Sequence, residues 1–100
     1  MPYEIRIHEL AVAELAALRK YDQRRILDAI EEQLTQQPTL ATRRRKCLIG
    51  LTPEFEHLQP VWELRVGAVR VFYDVDEGSQ WVHVRAVRRK EPTERTKDIT

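Results

Sequence analysis

Trp62-Glu63-Leu64-Arg65-Val66-Gly67-Ala68-Val69-Arg70-Val71-Phe72-Tyr73-Asp74-Val75 alternates apolar and polar residues on both sides of one Gly-Ala step. Strict alternation broken by a two-residue turn predicts a β-hairpin, with Gly67 supplying the positive φ that a type II′ turn needs at its first central position. A two-residue turn also fixes register. Val66 then faces Val69, Arg65 faces Arg70, Leu64 faces Val71, Glu63 faces Phe72 and Trp62 faces Tyr73. One face, Trp62, Leu64, Val66, Val69, Val71, Tyr73 and Val75, is predicted core. The other carries Glu63, Arg65, Arg70, Phe72 and Asp74. Two arginines directly opposite one another repel unless an anion lies near them, so function is expected on that second face.

Upstream, Tyr3, Ile5 and Ile7 alternate with Glu4, Arg6 and His8, which predicts a first strand. Residues 9–20 place Val12, Leu15 and Leu18 at helical spacing. Asp22 is the expected N-cap of a second helix with the stripe Ile26, Leu27, Ile30 and Leu34, ending before Pro38. Residues 39–60 read as irregular, with one short strand near Cys47-Leu48-Ile49 and a surface loop at Glu54-Phe55-Glu56-His57 between prolines. After a turn at residues 76–80, a last strand runs from Trp81 to Arg88. Val82, Val84 and Ala86 are expected on its core face; Trp81, His83, Arg85 and Val87 on the other. Pairing Val75 with Val82 would set Asp74 against His83 and Phe72 against Arg85.

The order β-α-α-β-β-β, with a possible extra short strand, predicts an α+β domain whose αα-hairpin packs on one face of a mainly antiparallel sheet. The long crossover allows the first strand to lie parallel to a neighbour. Residues 1–90 form one domain, and residues 91–100 a polar tail. The 42% apolar and 33% charged content fits a folded chain. No apolar run approaches the roughly 18 residues that span a membrane, and the N-terminus reads as a strand with no signal-peptide block. Cys47, the only cysteine, cannot form an internal disulfide, which suits a cytoplasmic location; it reads as a small, buried or half-buried apolar residue. His8, His57 and His83 lack metal-ligand spacing, so neither a metal nor a cofactor is expected.

Net charge is +1, but residues 1–42 balance to −2 and residues 43–100 to +3, with basic clusters at Arg43-Arg44-Arg45-Lys46 and between Arg85 and Lys97. Such clusters follow phosphates, dock an acidic partner, or simply form a solvated face. Cleaving RNA through its own 2′-hydroxyl needs cations on the phosphate, a base and an acid. Arg70 suits the phosphate, and Glu63 or His83 the proton. Phe72 could stack a base. The structural alternatives are Glu63 neutralising the arginines, His83 paired with Asp74, and Phe72 covered by the tail or by a partner.

The sequence resembles the RelE/ParE superfamily of toxins from type II toxin–antitoxin systems. The resemblance rests on Trp62 to Asp76, on Ala13-Glu14-Leu15 and Leu18, on Lys46 with Leu48, and on Val84-Arg85-Ala86-Val87, and it covers residues 2–90. It implies a toxin bound by a cognate antitoxin. The activity it implies first is metal-independent mRNA cleavage on the ribosome, with gyrase-directed binding without catalysis as the alternative. A third possibility is a degenerate member that binds only its antitoxin. Carried over residue by residue, Arg70 matches the arginine that ribosome-dependent members use on the scissile phosphate, and Lys90 or Arg89 the basic residue after the last strand. The RNA-contacting set is Arg65, Arg85, Lys46, Arg45, Phe72, Arg89 and Lys90. The ribosome-dependent members carry lysines where this chain has Val61 and Glu63, and a C-terminal Tyr or His that residues 93–96 lack, so cleavage would use Glu63 or His83.

Overall fold

The computed structural model describes residues 2–100; Met1 lies outside them. The hairpin forms as its turn requires. Strands β3 (Val61–Val66) and β4 (Val69–Asp76) pair in the register read from the sequence, including Arg65 opposite Arg70. Gly67 sits at φ 59 and Ala68 is not among the positive-φ residues, as a type II′ turn demands. Around this hairpin lies a mixed five-stranded sheet ordered β1-β5-β4-β3-β2, with β1 at Glu4–Ile7, β2 at Arg45–Leu48 and β5 at Trp81–Arg89. The extra short strand is β2, antiparallel to β3, and β1 runs parallel to β5.

Helices α1 (Glu9–Ala16) and α2 (Lys20–Leu34) pack on one face. Leu15, Ile26, Ile30 and Leu34 meet Trp62, Leu64, Val71, Tyr73 and Val84 in one core, with Ile5 and Leu18 at its margin. Trp62 stacks on Tyr73 at 6.3 Å, and the Tyr73 hydroxyl donates to the Pro38 carbonyl at 2.7 Å. Burial pushes the Tyr73 hydroxyl pKa well up, so it stays a donor.

The helix boundaries differ from expectation. Helix α2 begins at Lys20, with Arg19 as its N-cap. Asp22 lies inside its first turn, where the carboxylate faces the helix dipole and pairs with Arg19 at 3.5 Å. Val12 and Leu27 point outward, because two short helices on a twisted sheet bury a stripe narrower than their apolar content.

The sheet is covered on its second face too. Leu48, Phe55, Val61, Phe72, Ala86 and Ile99 form a separate small core there. Phe55 is therefore no surface residue: its ring lies 5.7 Å from that of Phe72. The chain's last residues fold back as a short 3-10 helix, Thr96–Ile99, which places Ile99 over the sheet. A β-bulge completes the arrangement. Tyr73 pairs with Val84 but Phe72 pairs with Ala86, so Arg85 is the extra residue. Phe72 thus faces Ala86 and not Arg85, and beyond the bulge Ala86 joins the second core while Val87 turns to the helices.

Burying a large apolar side chain contributes about 1.5–3 kcal/mol, and an unpaired charge in its place adds a further penalty. Ile30, 2% exposed, is central to the helix stripe. Ile30→Asp should abolish the cooperative thermal transition in circular dichroism; a native-like melt would refute the assigned stripe.

Candidate functional site

The sequence-nominated residues divide between two separate places on the sheet. The first is a row of arginines across β3, β4 and β5, where Arg65 faces Arg70 and Arg70 faces Arg88. Their environments differ. Arg65 is exposed. Arg70 is 9% exposed and folds back on its own turn, donating to the Gly67 carbonyl at 2.8 Å and the Val69 carbonyl at 3.2 Å. Burial lowers its pKa, the Glu63 charge opposes that shift and the Arg65 charge adds to it; a guanidinium keeps its proton at neutral pH even so. Arg88 is held by the Glu14 carboxylate at 2.7 Å and the Ile99 carbonyl at 2.8 Å, and lies 5.2 Å over the Phe55 ring. Glu14 also accepts from the Val87 amide at 2.9 Å, beyond the point where β1 stops pairing with β5.

Glu63 is buried beside this row, and its carboxylate accepts from the Thr96 hydroxyl at 2.9 Å. Phe72 is fully buried. A nucleobase has no exposed face of Phe72 to stack on while the tail and the 49–60 loop are in place. Arg45 also departs from the expected RNA-contacting role. Its register opposite Leu64 turns it toward the helices, where its guanidinium caps the end of α2 through the carbonyls of Gln33, Gln36 and Gln37. Lys46 and Arg89 are exposed and Lys90 is half-buried.

The second place lies around the bulge. Arg85 forms a two-pronged pair with Asp74, Nε to Oδ2 at 2.8 Å and Nη2 to Oδ1 at 3.3 Å; the two residues are 7% and 0% exposed. Asp74 Oδ2 also accepts the Leu58 amide at 3.0 Å, and Arg85 Nη1 reaches Glu56 at 3.4 Å. His83 faces Asp74 in register, but its Nδ1 meets His8 Nε2 at 2.8 Å. An arginine only donates, and Arg85 Nη1 lies 3.5 Å from His8 Nδ1. That contact makes His8 an acceptor at Nδ1, so its Nε2–H donates to His83. Burial, then the charges of Arg85, His83 and Arg6, lower the His8 pKa, with Asp74 opposing.

Arg70 and His83 therefore serve different neighbourhoods. Four residue steps along β4 separate Arg70 from Asp74, the partner of His83, or about 13 Å along a strand. Glu63 is the candidate proton carrier close to Arg70, and it is covered. Neither the His8–His83 contact nor the role of Glu14 was among the sequence expectations. His8 ends the alternation of β1, so its position beside β5 depends on the parallel pairing. Among the described residues no group of three or more His, Cys, Asp or Glu side chains is placed to hold a metal ion, and no helix is long and apolar enough to cross a membrane.

A protein-family profile described as the ParE toxin of type II toxin–antitoxin systems, parDE, matches residues 5–92. The chain belongs to this family. The sheet and helical hairpin are those of RelE toxins. The chain is similar to one in the crystal structure of the RelBE2 toxin–antitoxin complex from Mycobacterium tuberculosis. The TM-score is 0.72 and the identity 22%, over 90% of this chain and 93% of that one. A chain of the archaeal RelE–RelB complex from Pyrococcus horikoshii gives a TM-score of 0.71 at 23% identity, over 93% and 100%. A double arginine-to-alanine variant of Escherichia coli RelE in the free state gives 0.64 at 22%, over 93% and 88%. No curated protein sequence matches. The family assignment makes this chain a type II toxin and leaves its specific activity to the site residues.

Two outcomes follow for the bulge region. Asp74→Ala leaves the Arg85 charge buried without its partner and should cost about 3–5 kcal/mol in urea unfolding, much of which Asp74→Leu combined with Arg85→Met should restore. His8 has a folded-state pKa below its ordinary value, so the unfolded chain binds protons more readily. The His8 contribution to stability is present above about pH 6.5 and is lost as pH falls through the folded pKa. Its ring should titrate below the usual histidine range by NMR, and His8→Gln should flatten the loss of stability on acidification below pH 6.5.

Proposed function

We propose that this toxin acts by binding a protein target, with DNA gyrase the target implied by family resemblance, and that it carries out no chemical step on RNA. The supporting observation is the state of the sheet face that RNA cleavage would require. Arg70 is engaged with its own turn, Glu63 with Thr96, and Phe72 with Phe55, Ala86 and Ile99. Arg70 and Phe72 are closed to solvent there, and Glu63, itself nearly buried, borders a groove with Arg65 and Lys46 but not with Arg70. In the sequence, mRNA cleavage was the leading reading; the burial of these groups reverses that order.

Ribosome-dependent mRNA cleavage remains the second reading, and one observation favours it. Arg65 and Arg70 are paired across the hairpin with Glu63 beside them, and withdrawal of residues 96–99 would release Glu63 from the Thr96 hydroxyl. In either reading the toxin is neutralised by a cognate antitoxin. The similar RelBE2 and archaeal structures are toxin–antitoxin complexes. The outer edge of β1 supplies a suitable surface. It borders a groove of about 390 Å³ formed by half-buried Tyr3, Ile5 and Ile7 with Leu27, which is 43% exposed. A free strand edge beside an apolar groove takes an added strand or an amphipathic helix.

Induction of the chain in a bacterial cell, with translation, mRNA ends and DNA supercoiling followed separately, tests the assignment. DNA breaks and altered supercoiling should precede any fall in translation, and Glu63→Gln should remain fully toxic at equal expression. Messenger RNA cut at codon boundaries, together with loss of toxicity in a folded Glu63→Gln variant, would establish cleavage instead. Co-expression with the neighbouring reading frame should yield a stable heterocomplex.

A further inference from the structure

A groove of about 530 Å³ runs between α2 and the hairpin turn. Four exposed arginines border it: Arg24 and Arg25 from α2, Arg44 from the segment before β2, and Arg65 from β3. None forms a salt bridge with any described residue. Tyr21, 77% exposed, stands on the same helix face one turn before Arg24 and Arg25 and also borders the groove. Gly67 lies at the mouth of the groove. A Cβ there would lie 2.7 Å from the Arg25 guanidinium, so the bare backbone of the turn is what lets that side chain cross it. Arg44 and Arg65 also border an adjoining groove of about 350 Å³ that continues past Arg43 and Lys46 along the β2 edge.

Lys20 occupies the first turn of α2, where the helix dipole is positive and a cation is disfavoured, and Arg24 and Arg25 follow in the second turn. Unpaired cations gathered at the positive end of a helix, around a concave surface, are the chemistry of an anion track. The exposed ring of Tyr21 narrows the choice of anion. A solvent-facing aromatic flanked by arginines offers a stacking platform to an unpaired base while the guanidiniums take the flanking phosphates. In a duplex the bases are stacked on each other and closed to a single tyrosine. Asp28 and Glu32 follow Arg24 on the same helix at successive turns, where they repel phosphate and can accept hydrogen bonds from base amino groups.

We propose that the groove between Tyr21, Arg24, Arg25, Arg44 and Arg65 binds single-stranded nucleic acid, with one base stacked on Tyr21 and its phosphates on the arginines. The groove shares Arg65 with the hairpin row described above, and its other members lie on α2 and on the segment before β2.

The test uses the full chain and fluorescein-labelled U12 and dT12, followed by anisotropy from low to physiological salt. At least one oligonucleotide should bind, with affinity falling as salt rises. Tyr21→Ala should weaken binding about tenfold. Arg24→Ala with Arg44→Ala should reduce the log–log salt slope by about 1.4, two single-strand phosphate contacts. All these residues are exposed, so circular dichroism and melting should match the parent chain. Tighter binding of U12 identifies RNA as the ligand, and tighter binding of dT12 identifies DNA. The proposal is overturned if neither oligonucleotide binds, if the variants bind like the parent, or if poly-glutamate competes as well as unlabelled oligonucleotide. That last result would make the groove a dock for an acidic peptide.

Discussion

Asp74 and Arg85 are both removed from water, and four segments of the chain meet at their pair. The β4–β5 bulge supplies the geometry: the extra residue on β5 is Arg85, and its guanidinium reaches Asp74 through two hydrogen bonds. A lone charge at such depth would be very unfavourable, so each member requires the other. The pair then recruits its surroundings. Asp74 takes the Leu58 amide and so fixes the loop between β2 and β3. Arg85 reaches Glu56 in that loop and His8 at the junction of β1 and α1. A buried ion pair is weak evidence of net stability, but it is specific about which loop conformation and which strand register are compatible with it.

The covered face is a consequence of this anchoring. With the 49–60 loop held down, Phe55 lies on Phe72, and Arg88 lies over Phe55 while bonded to the Ile99 carbonyl. The tail and the loop therefore support each other on the same face of the sheet, where the Glu54 amide also donates to the Thr100 main-chain oxygen at 3.0 Å. Phe72 and Glu63, which on an open sheet would face solvent, become interior groups. The same side chains that suggest chemistry in an open hairpin act here as the floor of a second core.

The elements that could be read from the sequence are those fixed by local rules. A two-residue turn around Gly67 dictates the β3–β4 register, and helical spacing identifies Ile26, Ile30 and Leu34. The bulge was missed because strict alternation was carried through β5, although the doublet Ala86-Val87 is the trace of a parity change: two successive apolar residues, one for each core. The covering of the second face has a fainter signature. Phe55 and Ile99 are single apolar residues within polar stretches, and their partners, Phe72 and Ala86, lie far away in sequence. Arg45 was obscured by its neighbours. In a run of four cations, only strand parity and the proximity of the α2 carbonyls distinguish the buried one from the exposed three.

Pairing separates the structural arginines from those available to a partner. Arg45, Arg70, Arg85 and Arg88 each spend their donors on carbonyls or carboxylates of the chain itself. Each is buried or half-buried on these bonds, with Arg45 Nε the one donor left buried without a partner among the described residues. Arg24, Arg25, Arg43, Arg44 and Arg65 are exposed and without a salt bridge to any described residue, and all of them border the hairpin turn or the β2 edge. A net charge of +1 hides this division. Cations already bonded within the fold add little to the field a partner meets, whereas solvent-facing cations clustered within a Debye length, about 8–10 Å at physiological salt, act together. Five solvent-facing arginines thus gather near the hairpin turn and the β2 edge.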